Sequence, residues 1–251
     1  MKKEIFVHRP HDYPGLIRRW KKIARVSRLK FSKVGEFDGF GVYEFRSPNL
    51  NQTDGIYMSA GIHGDEPGAV EGLTRWAEMN PDQLARIPVI IFPCLNPWGY
   101  SCNSRNSKAG DDLNRKWGGD KHPMTSVIQS RIKRFSFRLA LTLHEDYDGD
   151  GTYLYELIRR SGAEGLGAKI LKSVHHIISP DSRYLIDGRK ARDGIIRPRP
   201  RKIIPDEMPE ALYLFKLHTN RSLTIETPSE FDFRIRAEAH LKMIESALCL
   251  E

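Results

Sequence analysis

Apolar and polar residues follow two periods along the chain, one typical of amphipathic helices and one typical of strands. In "YPGLIRRWKKIARVS", apolar residues recur at near-helical spacing with arginines and lysines between them, which predicts a surface helix. In "IPVIIFPCL", a continuous apolar run is typical of a central strand that is buried on both faces. The whole pattern predicts strands over 40–47, 55–61, 87–95, 137–146, 151–158 and 221–229, and helices over 13–27, 68–80, 124–136, 162–178 and 234–248.

The alternation of strands with helices predicts an α/β fold with a mostly parallel sheet that helices cover on both faces. The sequence contains no evident repeat, and no linker rich in Gly, Pro or Ser divides it. We therefore expect a single domain over residues 1–251. Residues 96–120 are rich in Asn, Gly and Ser and predict a loop, and the basic segment 183–202 predicts irregular structure.

The composition is that of an ordinary globular protein, with 39% hydrophobic and 29% charged residues. No apolar run approaches the roughly 18 residues that a membrane span needs. The apolar patch near the amino terminus is too short for the core of a signal peptide. Three cysteines, Cys94, Cys102 and Cys249, form no C-x-x-C pair, which favours a reducing compartment and leads us to expect a cytoplasmic protein.

The formal net charge is +8, and much of the excess lies in "RKARDGIIRPRPRK" over 189–202, where seven basic residues accompany Asp193. Such a tract is compatible with a nucleic-acid partner. The prolines argue against a continuous basic helix, and no aromatic residues are interleaved to stack on bases. A solvated loop, or a rim that attracts small carboxylate substrates, is the favoured interpretation, so we expect nucleic acid not to be the partner.

Polar and ionisable residues follow each of the predicted central strands. In sheets of this kind, ligands bind at the carboxyl ends of the strands. These ends carry His63 and Glu66 after the second strand, Arg105, Asp111, Asp112, Asn114 and Arg115 after the third, His144, Glu145 and Asp146 at the end of the fourth, and Glu226 at the end of the last. The prediction is that these groups meet at one edge of the sheet.

Two histidines, one carboxylate and one open position for water are a common donor set of catalytic zinc. Zinc lowers the pKa of bound water, and a separate carboxylate such as Glu226 could take the proton from that water. Arg105 could stabilise an oxyanion, and Asn114 and Arg115 could hold a substrate carboxylate. Taken singly, each residue also has a structural interpretation: the H-x-x-E pair as a helix cap or surface pair, His144 as a hydrogen-bonded core residue, and Glu226 as a cap of the last helix.

The order of these motifs resembles the zinc carboxypeptidase superfamily, which includes the succinylglutamate desuccinylase and aspartoacylase group. The resemblance covers roughly residues 55–230, through "GIHGDE", "NPWGY", "SRN", "DDLNR", "LTLHED" and "TIETPS". It implies a mixed, twisted sheet between helices, a single metallocarboxypeptidase-like catalytic domain, and one zinc ion per chain. It also implies zinc ligands at His63, Glu66 and His144, a general base at Glu226, a carbonyl-polarising arginine at Arg105, a carboxylate clamp at Asn114 and Arg115, and at Asp112 an acid that orients the first zinc histidine.

The sequence departs from the family pattern in three places. Thr142 stands two residues before the second zinc histidine, where many relatives have Asp, so another group must orient His144. Tyr184 and Tyr213 are candidates for the mobile tyrosine of carboxypeptidases, and two ordinary packing tyrosines are the favoured interpretation. Only 25 residues follow Glu226, so we expect no carboxyl-terminal β domain of the aspartoacylase type.

The sequence therefore predicts a zinc-dependent hydrolase that cleaves an amide bond next to a carboxylate. A metallocarboxypeptidase or peptide amidase acting on small peptides ranks first, because we expect no added carboxyl-terminal domain. A deacylase of N-acyl amino acids is second, since "HGDE" and the short spacing between ligand motifs are closer to that branch. A basic nucleic-acid-binding protein is a distant third. Cobalt and manganese accept the same donors as zinc.

The basic segment 183–202 precedes the predicted catalytic strand. We expect it to form part of a lid or rim over the metal, where its cations attract an acidic side chain of the substrate. Arg197, Arg199 and Arg201 are the positions at which this expectation can be tested.

Overall fold

A ten-stranded mixed sheet runs through the protein, whose computed structural model describes residues 9–119, 121–159, 165–198 and 206–249. The strands are β1 Lys30–Phe37, β2 Phe40–Arg46, β3 Gly55–Ala60, β4 Val89–Phe92, β5 Phe137–Asp146, β6 Tyr153–Ile158, β7 Leu185–Ile186, β8 Arg189–Arg192, β9 Ile195–Ile196 and β10 Arg221–Pro228. The helices are α1 Tyr13–Val26, α2 Pro67–Met79, α3 Pro81–Arg86, α4 Pro97–Cys102, α5 Pro123–Ile132, α6 Gly167–Val174, α7 Glu210–Leu217 and α8 Phe233–Cys249, with a 3-10 turn at Leu113–Arg115.

The strand order is β1-β2-β4-β3-β5-β10-β6-β9-β8-β7. The four central strands, β4, β3, β5 and β10, are parallel to their neighbours within this group, whereas β2 and β6 join its two sides in antiparallel fashion. The register places Thr142 of β5 between Ser59 of β3 and Thr224 of β10, and His144 opposite Glu226. The carboxyl ends of β3, β5 and β10 therefore lie side by side at one edge.

Helices pack on both faces of the sheet. One hydrophobic cluster joins α1, α2, α6 and α8 to the sheet face that carries Met58, Leu141 and Leu223. The other cluster joins α5 and α7 to the opposite face, which carries Tyr57 and Ala140. Because successive side chains of a strand point to opposite faces, each apolar run supplies both clusters at once. The predicted α/β fold, a mixed sheet with helices on both faces, is confirmed.

The predicted amphipathic helix at the start of the chain is α1. Its Asp12 side chain accepts a hydrogen bond from the backbone N–H of Gly15 at 2.9 Å, as an N-cap residue does. Its apolar face is buried against α2 and the sheet, and Trp20 is fully buried there. The indole N–H of Trp20 donates to the hydroxyl of Thr74 on α2 at 3.0 Å. This bond satisfies a polar group that burial would otherwise leave without a partner.

The structure corrects the sequence prediction in the segments predicted as loops. The segment 96–120 contains α4 and the 3-10 turn, and the sequence did not predict β1, α3 and α7. The basic segment is not irregular throughout, because β7, β8 and β9 form a meander over its described part. Asp187 and Gly188 join β7 to β8 with φ angles of 51° and 67°, and Asp193 and Gly194 join β8 to β9 with 51° and 74°. Two positive φ angles in sequence are typical of type I′ hairpin turns, which Asp-Gly favours.

Two further expectations concern helix length and the membrane. The helix predicted over 162–178 is observed as α6, Gly167–Val174, while 160–164 lie outside the described residues. Among the described residues, no helix combines the length and the apolar character that crossing a bilayer requires.

Candidate active site

Three side chains with metal-binding atoms converge at the carboxyl ends of β3 and β5. His63 Nδ1 lies 2.5 Å from Glu66 Oε1, and His144 Nδ1 lies 3.0 Å from Glu66 Oε2. One ligand atom from each of the three residues lies within 4.8 Å of the other two, and all three residues are buried. The two imidazoles, 81 positions apart in the sequence, thus present the same ring nitrogen to one carboxylate.

The local structure explains why this carboxylate reaches the histidines. Helix α2 begins at Pro67, so that Glu66 occupies the N-cap position, but its side chain makes no capping hydrogen bond. The loop 61–66 approaches α4 very closely: a Cβ atom on Gly64 would lie 1.9 Å from the carbonyl carbon of Gly99. Only glycine permits this approach. Because the Glu66 carboxylate contacts the two histidines and makes no hydrogen bond to the first turn of α2, the interpretation of the H-x-x-E pair as a helix cap is wrong.

The chemistry of this donor set fits a divalent metal ion. Glu66 Oε2 is buried and has no hydrogen-bond partner among the described residues, although it faces His144 Nδ1. A buried carboxylate oxygen that faces an imidazole nitrogen but makes no aligned hydrogen bond is costly unless a positive charge neutralises it. Imidazole nitrogen and carboxylate oxygen are donors that zinc accepts, and three such protein ligands leave a further position for water or substrate. His63, Glu66 and His144 could hold such an ion.

Asp112 reaches the other ring nitrogen of His63. Its Oδ1 lies 3.2 Å from His63 Nε2 and accepts a hydrogen bond from the backbone N–H of Asn114 at 2.9 Å. The acid is thus fixed at the start of the 3-10 turn while it contacts the imidazole. A carboxylate on the outer nitrogen of a metal-binding histidine fixes its tautomer and ring orientation.

The charges of the cluster shift the pKa values of its members. Burial alone would lower the pKa of His63, but the carboxylates of Glu66 and Asp112 outweigh it and raise this pKa to about 9. Burial would raise the pKa of Glu66, but His63 and His144 hold it well below its usual range. The pKa of Asp112 is likewise lowered, against the effect of burial, by His63 and Arg105. In the absence of a metal, the cluster therefore favours protons on its imidazoles.

Thr142, at the position where many relatives have Asp, does not contact the His144 ring as Asp112 contacts the ring of His63. Its hydroxyl donates to the hydroxyl of Thr224 on the neighbouring strand at 3.0 Å. The paired threonines lie two residues before His144 and Glu226 on strands β5 and β10, so they are on the same face of the sheet. Thr142 thus serves the contact between strands β5 and β10.

Glu226 lies at the end of β10, directly opposite His144 on β5 and Tyr153 on β6. Its side chain is buried but lines the same cavity as the metal-binding atoms. Burial raises the pKa of Glu226 well above its usual value, partly offset by His144. Helix α8 begins only at Phe233, so the interpretation of Glu226 as a cap of that helix is wrong.

Arg105 and the 3-10 turn form a cationic wall. Arg105 Nη1 lies 3.3 Å from His63 Nδ1 and 3.7 Å from Glu66 Oε1, and its Nη2 donates to Asp112 at 3.3 Å. The amide oxygen of Asn114 accepts the backbone N–H of Glu210 at 3.0 Å, which leaves its amide nitrogen as the donor at the cavity. Arg115 lines the same cavity.

The cavity has a volume of about 840 Å³ and brings together seven of the eight predicted site residues: His63, Glu66, Arg105, Asn114, Arg115, His144 and Glu226. The eighth, Asp112, supports His63 from behind. Another part of the lining consists of Tyr153, Tyr155 and Leu157 of β6, which the sequence did not assign to the site. Tyr153 donates to Asp146 at 2.9 Å, and Tyr155 donates to Asp187 at 2.8 Å. The alternation of Tyr153, Tyr155 and Leu157 along β6 is the sequence signal for this face.

Neither candidate for a mobile tyrosine lines the cavity. Tyr184 is exposed and Tyr213 is packed against Trp117 and His218. Of the basic segment 183–202, Asp187, Arg189 and Pro198 line the cavity, whereas Arg197 forms an ion pair with Glu156 at 2.7 Å. Arg199 and Arg201 lie outside the described residues.

Comparisons with known proteins show which families this chain is similar to. Residues 52–160 match the family model of the succinylglutamate desuccinylase/aspartoacylase catalytic domain. Carboxypeptidase SOL1 from Arabidopsis thaliana is 26% identical over 161 residues, which are 53% of this chain and 33% of that protein. The chain thus spans about a third of the length of this curated relative.

Solved structures show the same fold at low sequence identity. A candidate metallopeptidase from Shewanella amazonensis SB2B superposes with a TM-score of 0.87 at 18% identity, covering 100% of this chain and 97% of the other. Carboxypeptidase A from Helicoverpa armigera superposes with a TM-score of 0.68 at 16% identity, covering 96% of this chain and 72% of the other.

The chain has the α/β fold of these metallopeptidase and carboxypeptidase structures. Within this fold, residues 52–160 are similar to the succinylglutamate desuccinylase/aspartoacylase catalytic domain, and 161 residues are similar to a carboxypeptidase. The predicted resemblance is confirmed.

Proposed function

We propose that this protein is a zinc-dependent hydrolase that cleaves an amide bond next to a carboxylate, acting as a metallocarboxypeptidase or peptide amidase on small peptides. The observation that carries the proposal is the convergence of His63, Glu66 and His144 around a carboxylate oxygen without a hydrogen-bond partner, beside Glu226. The donor atoms are of the types that catalytic zinc sites use, and the neighbouring acid is separate from them.

The proposed roles of the residues follow from where they lie. His63, Glu66 and His144 would hold one zinc ion, which supplies Lewis acidity and a water of lowered pKa when bound. Glu226 takes the proton from the attacking water and passes it to the leaving amine nitrogen. Arg105, beside His63 and partly exposed to the cavity, donates N–H groups to the oxygen that gains negative charge.

The other end of the substrate binds to Asn114 and Arg115. The amide nitrogen of Asn114 and the forked guanidinium of Arg115 offer matched donors to a terminal carboxylate. Because both side chains line the same cavity as Glu226, a carboxylate bound there places the adjacent amide near the catalytic acid. A cavity of about 840 Å³ is within the range of small-molecule and peptide sites.

A second candidate is a deacylase of N-acyl amino acids, of the succinylglutamate desuccinylase or aspartoacylase type. The specific observation in its favour is the family match over residues 52–160, which contains all the proposed ligands. Both candidates bind a carboxylate next to the scissile amide, so the same residues serve either reaction.

The test combines a metal assay with a substrate panel. The purified protein should contain about one zinc per chain, lose hydrolysis with a chelator and regain it when zinc is added. Glu226→Gln should abolish turnover, by at least about 100-fold, while zinc remains bound. His63→Ala should lose the zinc, and His176→Ala, a change at an exposed histidine, should not.

The panel separates the two candidates. Dipeptides and tripeptides with a free carboxyl terminus are compared with N-acyl amino acids of equal charge. Turnover of the peptides alone supports the carboxypeptidase, and turnover of acylated single amino acids alone supports the deacylase. A protein that binds no metal and hydrolyses neither class would contradict the proposal.

A further inference from the structure

Glu145 directly follows the proposed zinc ligand His144, but its side chain is buried on the other side of the strand. Its Oε2 accepts the backbone N–H of Gly68 at 2.9 Å and Nη1 of Arg236 at 2.7 Å. Its Oε1 accepts the hydroxyl of Thr227 at 3.2 Å. One carboxylate therefore has partners on α2, β10 and α8.

Two of the three contacts lie next to a residue of the proposed active site. Gly68 is two positions after Glu66, and Thr227 directly follows Glu226. The β5–β10 register pairs Glu145 with Thr227 one step beyond the pair of His144 and Glu226. The three chain segments that carry His144, Glu66 and Glu226 thus share a single carboxylate behind the cavity.

The backbone of Gly68 lies very close to the Glu145 carboxylate. A Cβ atom on Gly68 would lie 2.3 Å from Glu145 Oε1 and 3.0 Å from Arg236 Cβ. Glycine at position 68 is therefore what allows the first turn of α2 to lie against the carboxylate. A methyl group there would displace either the carboxylate or the helix that follows Glu66.

The charge of Glu145 is compensated by Arg236, which is itself buried. The Nε of Arg236 also donates to the carbonyl of Phe231 at 2.8 Å, in the turn that follows β10. His240, one turn further along α8, has its Nε2 3.0 Å from the hydroxyl of Thr227. Helix α8 thus supplies Arg236 and contacts Thr227, two of the three partners of the carboxylate. It contributes no residue to the cavity lining among the described residues.

We propose that Glu145, paired with Arg236, is a positioning residue that sets the spacing of His144, Glu66 and Glu226 for metal binding and catalysis. The inference rests on the proposed function, because it takes His63, Glu66 and His144 as the zinc ligands. Buried groups that orient metal ligands are worth about 10- to 100-fold in metal affinity or activity when they are changed.

The test compares two variants with one matched control. Glu145→Gln keeps the size of the side chain but removes its charge, and Gly68→Ala adds the methyl group that the carboxylate excludes. Glu71→Gln is the control, since Glu71 is also a buried acid paired with an arginine, Arg19, at 2.5 Å, but does not line the active-site cavity. Zinc dissociation constants are measured by competition with a chromogenic chelator, together with thermal unfolding, kcat and KM at saturating zinc.

We expect Glu145→Gln and Gly68→Ala to weaken zinc binding by about 10- to 100-fold and to lower kcat with KM little changed. We expect Glu71→Gln to lower the unfolding temperature while the zinc dissociation constant stays that of the wild type. Folded Glu145→Gln and Gly68→Ala proteins that bind zinc as tightly as the wild type would overturn the proposal.

A second variant covers the case in which Glu145→Gln does not fold. Glu145→Gln combined with Arg236→Met removes both charges, so that neither is left buried without its partner. We expect this double variant to fold but to bind zinc weakly, because the contacts to Gly68 and Arg236 are altered. Wild-type zinc affinity in the double variant would overturn the positioning role. A wild-type protein that itself binds no zinc would instead contradict the proposed function.

Discussion

Zinc binding to this site should release protons, and the affinity should rise steeply with pH. His63 must lose its proton from Nδ1 before that nitrogen can bind a metal. Glu66 and Asp112 outweigh burial and raise the pKa of His63 to about 9. At pH 7 the imidazole of the metal-free protein is therefore positively charged, with a proton on both ring nitrogens. The pKa of His144 is raised as well, with Glu66 outweighing burial, so a second proton can add to the effect.

The affinity for zinc should rise with pH by an amount that the pKa of His63 sets. A raised pKa means that the proton competes with the metal at every pH below about 9, and raising the pH removes this competition. For one proton, the affinity should rise by nearly tenfold per pH unit, or by about 100-fold between pH 6.5 and 8.5, which corresponds to about 2.7 kcal/mol. Above the pKa of His63 the affinity should level off.

Isothermal titration calorimetry in buffers of different ionisation enthalpy counts the protons released. We expect between one and two at pH 7 for the wild type. The exposed His176→Gln variant should release the same number. Asp112→Asn removes one of the charges that raise the pKa of His63, so it should release fewer protons at pH 7. A zinc affinity that is flat between pH 6.5 and 8.5, with no dependence on the buffer, would refute the reasoning.

Three further outcomes follow from contacts of single side chains. Arg115→Lys should raise KM roughly tenfold for substrates with a free terminal carboxylate, since an ammonium group cannot replace a forked contact. Steady-state kinetics with the amidated analogue is the control, and an equal rise of its KM would show that Arg115 does not bind the carboxylate. Arg189→Ser should raise KM a few fold for substrates with an acidic side chain, as expected of an exposed charge, whereas Arg192→Ser on the same strand should not; equal KM values in both variants would show that Arg189 does not act on the substrate. Thr74→Val should lower the free energy of unfolding by about 1–3 kcal/mol in urea, because the indole N–H of buried Trp20 loses its acceptor; an unchanged midpoint would show that this hydrogen bond contributes little.

The centre of the fold could be predicted from the sequence because burial on both faces leaves an unmistakable pattern. β3, β4 and β5 are short apolar runs, and their order along the chain, interleaved with α2, requires parallel neighbours. The same reasoning places the polar residues that follow them at one edge. These are local properties of the chain, so a single sequence contains them.

The β7–β8–β9 meander was missed because its strands are short and partly basic, so apolar periodicity does not report them. A signal was present nonetheless. The dipeptide Asp-Gly occurs at 187–188 and again at 193–194, six residues apart, and each turn closes a hairpin. Asp-Gly between short strands is a strong local indication of a type I′ turn. The meander supplies Asp187 and Arg189 to the wall of the cavity.

No comparable signal existed for the contacts that support the site from behind. Glu145 meets Arg236 across 91 positions of sequence, and this meeting depends on how α8 packs against α2. Glu210 accepts the phenol of Tyr57 at 2.5 Å across 153 positions, while its backbone N–H holds the amide oxygen of Asn114. Such pairs are set by tertiary packing, so a sequence identifies the residue types without identifying the partners.

The alternation of side chains along a strand explains why adjacent residues take such different parts here. His144 and Glu226 point to the cavity, and their neighbours Glu145 and Thr227 point to α2 and α8. Because successive side chains of a strand point to opposite faces, the neighbour of each active-site residue at a strand end lies on the other face of the sheet. There it contacts the helices packed on that face. Changes in α8 should therefore reach the metal site through Glu145 and Thr227, even though the helix itself lies outside the cavity.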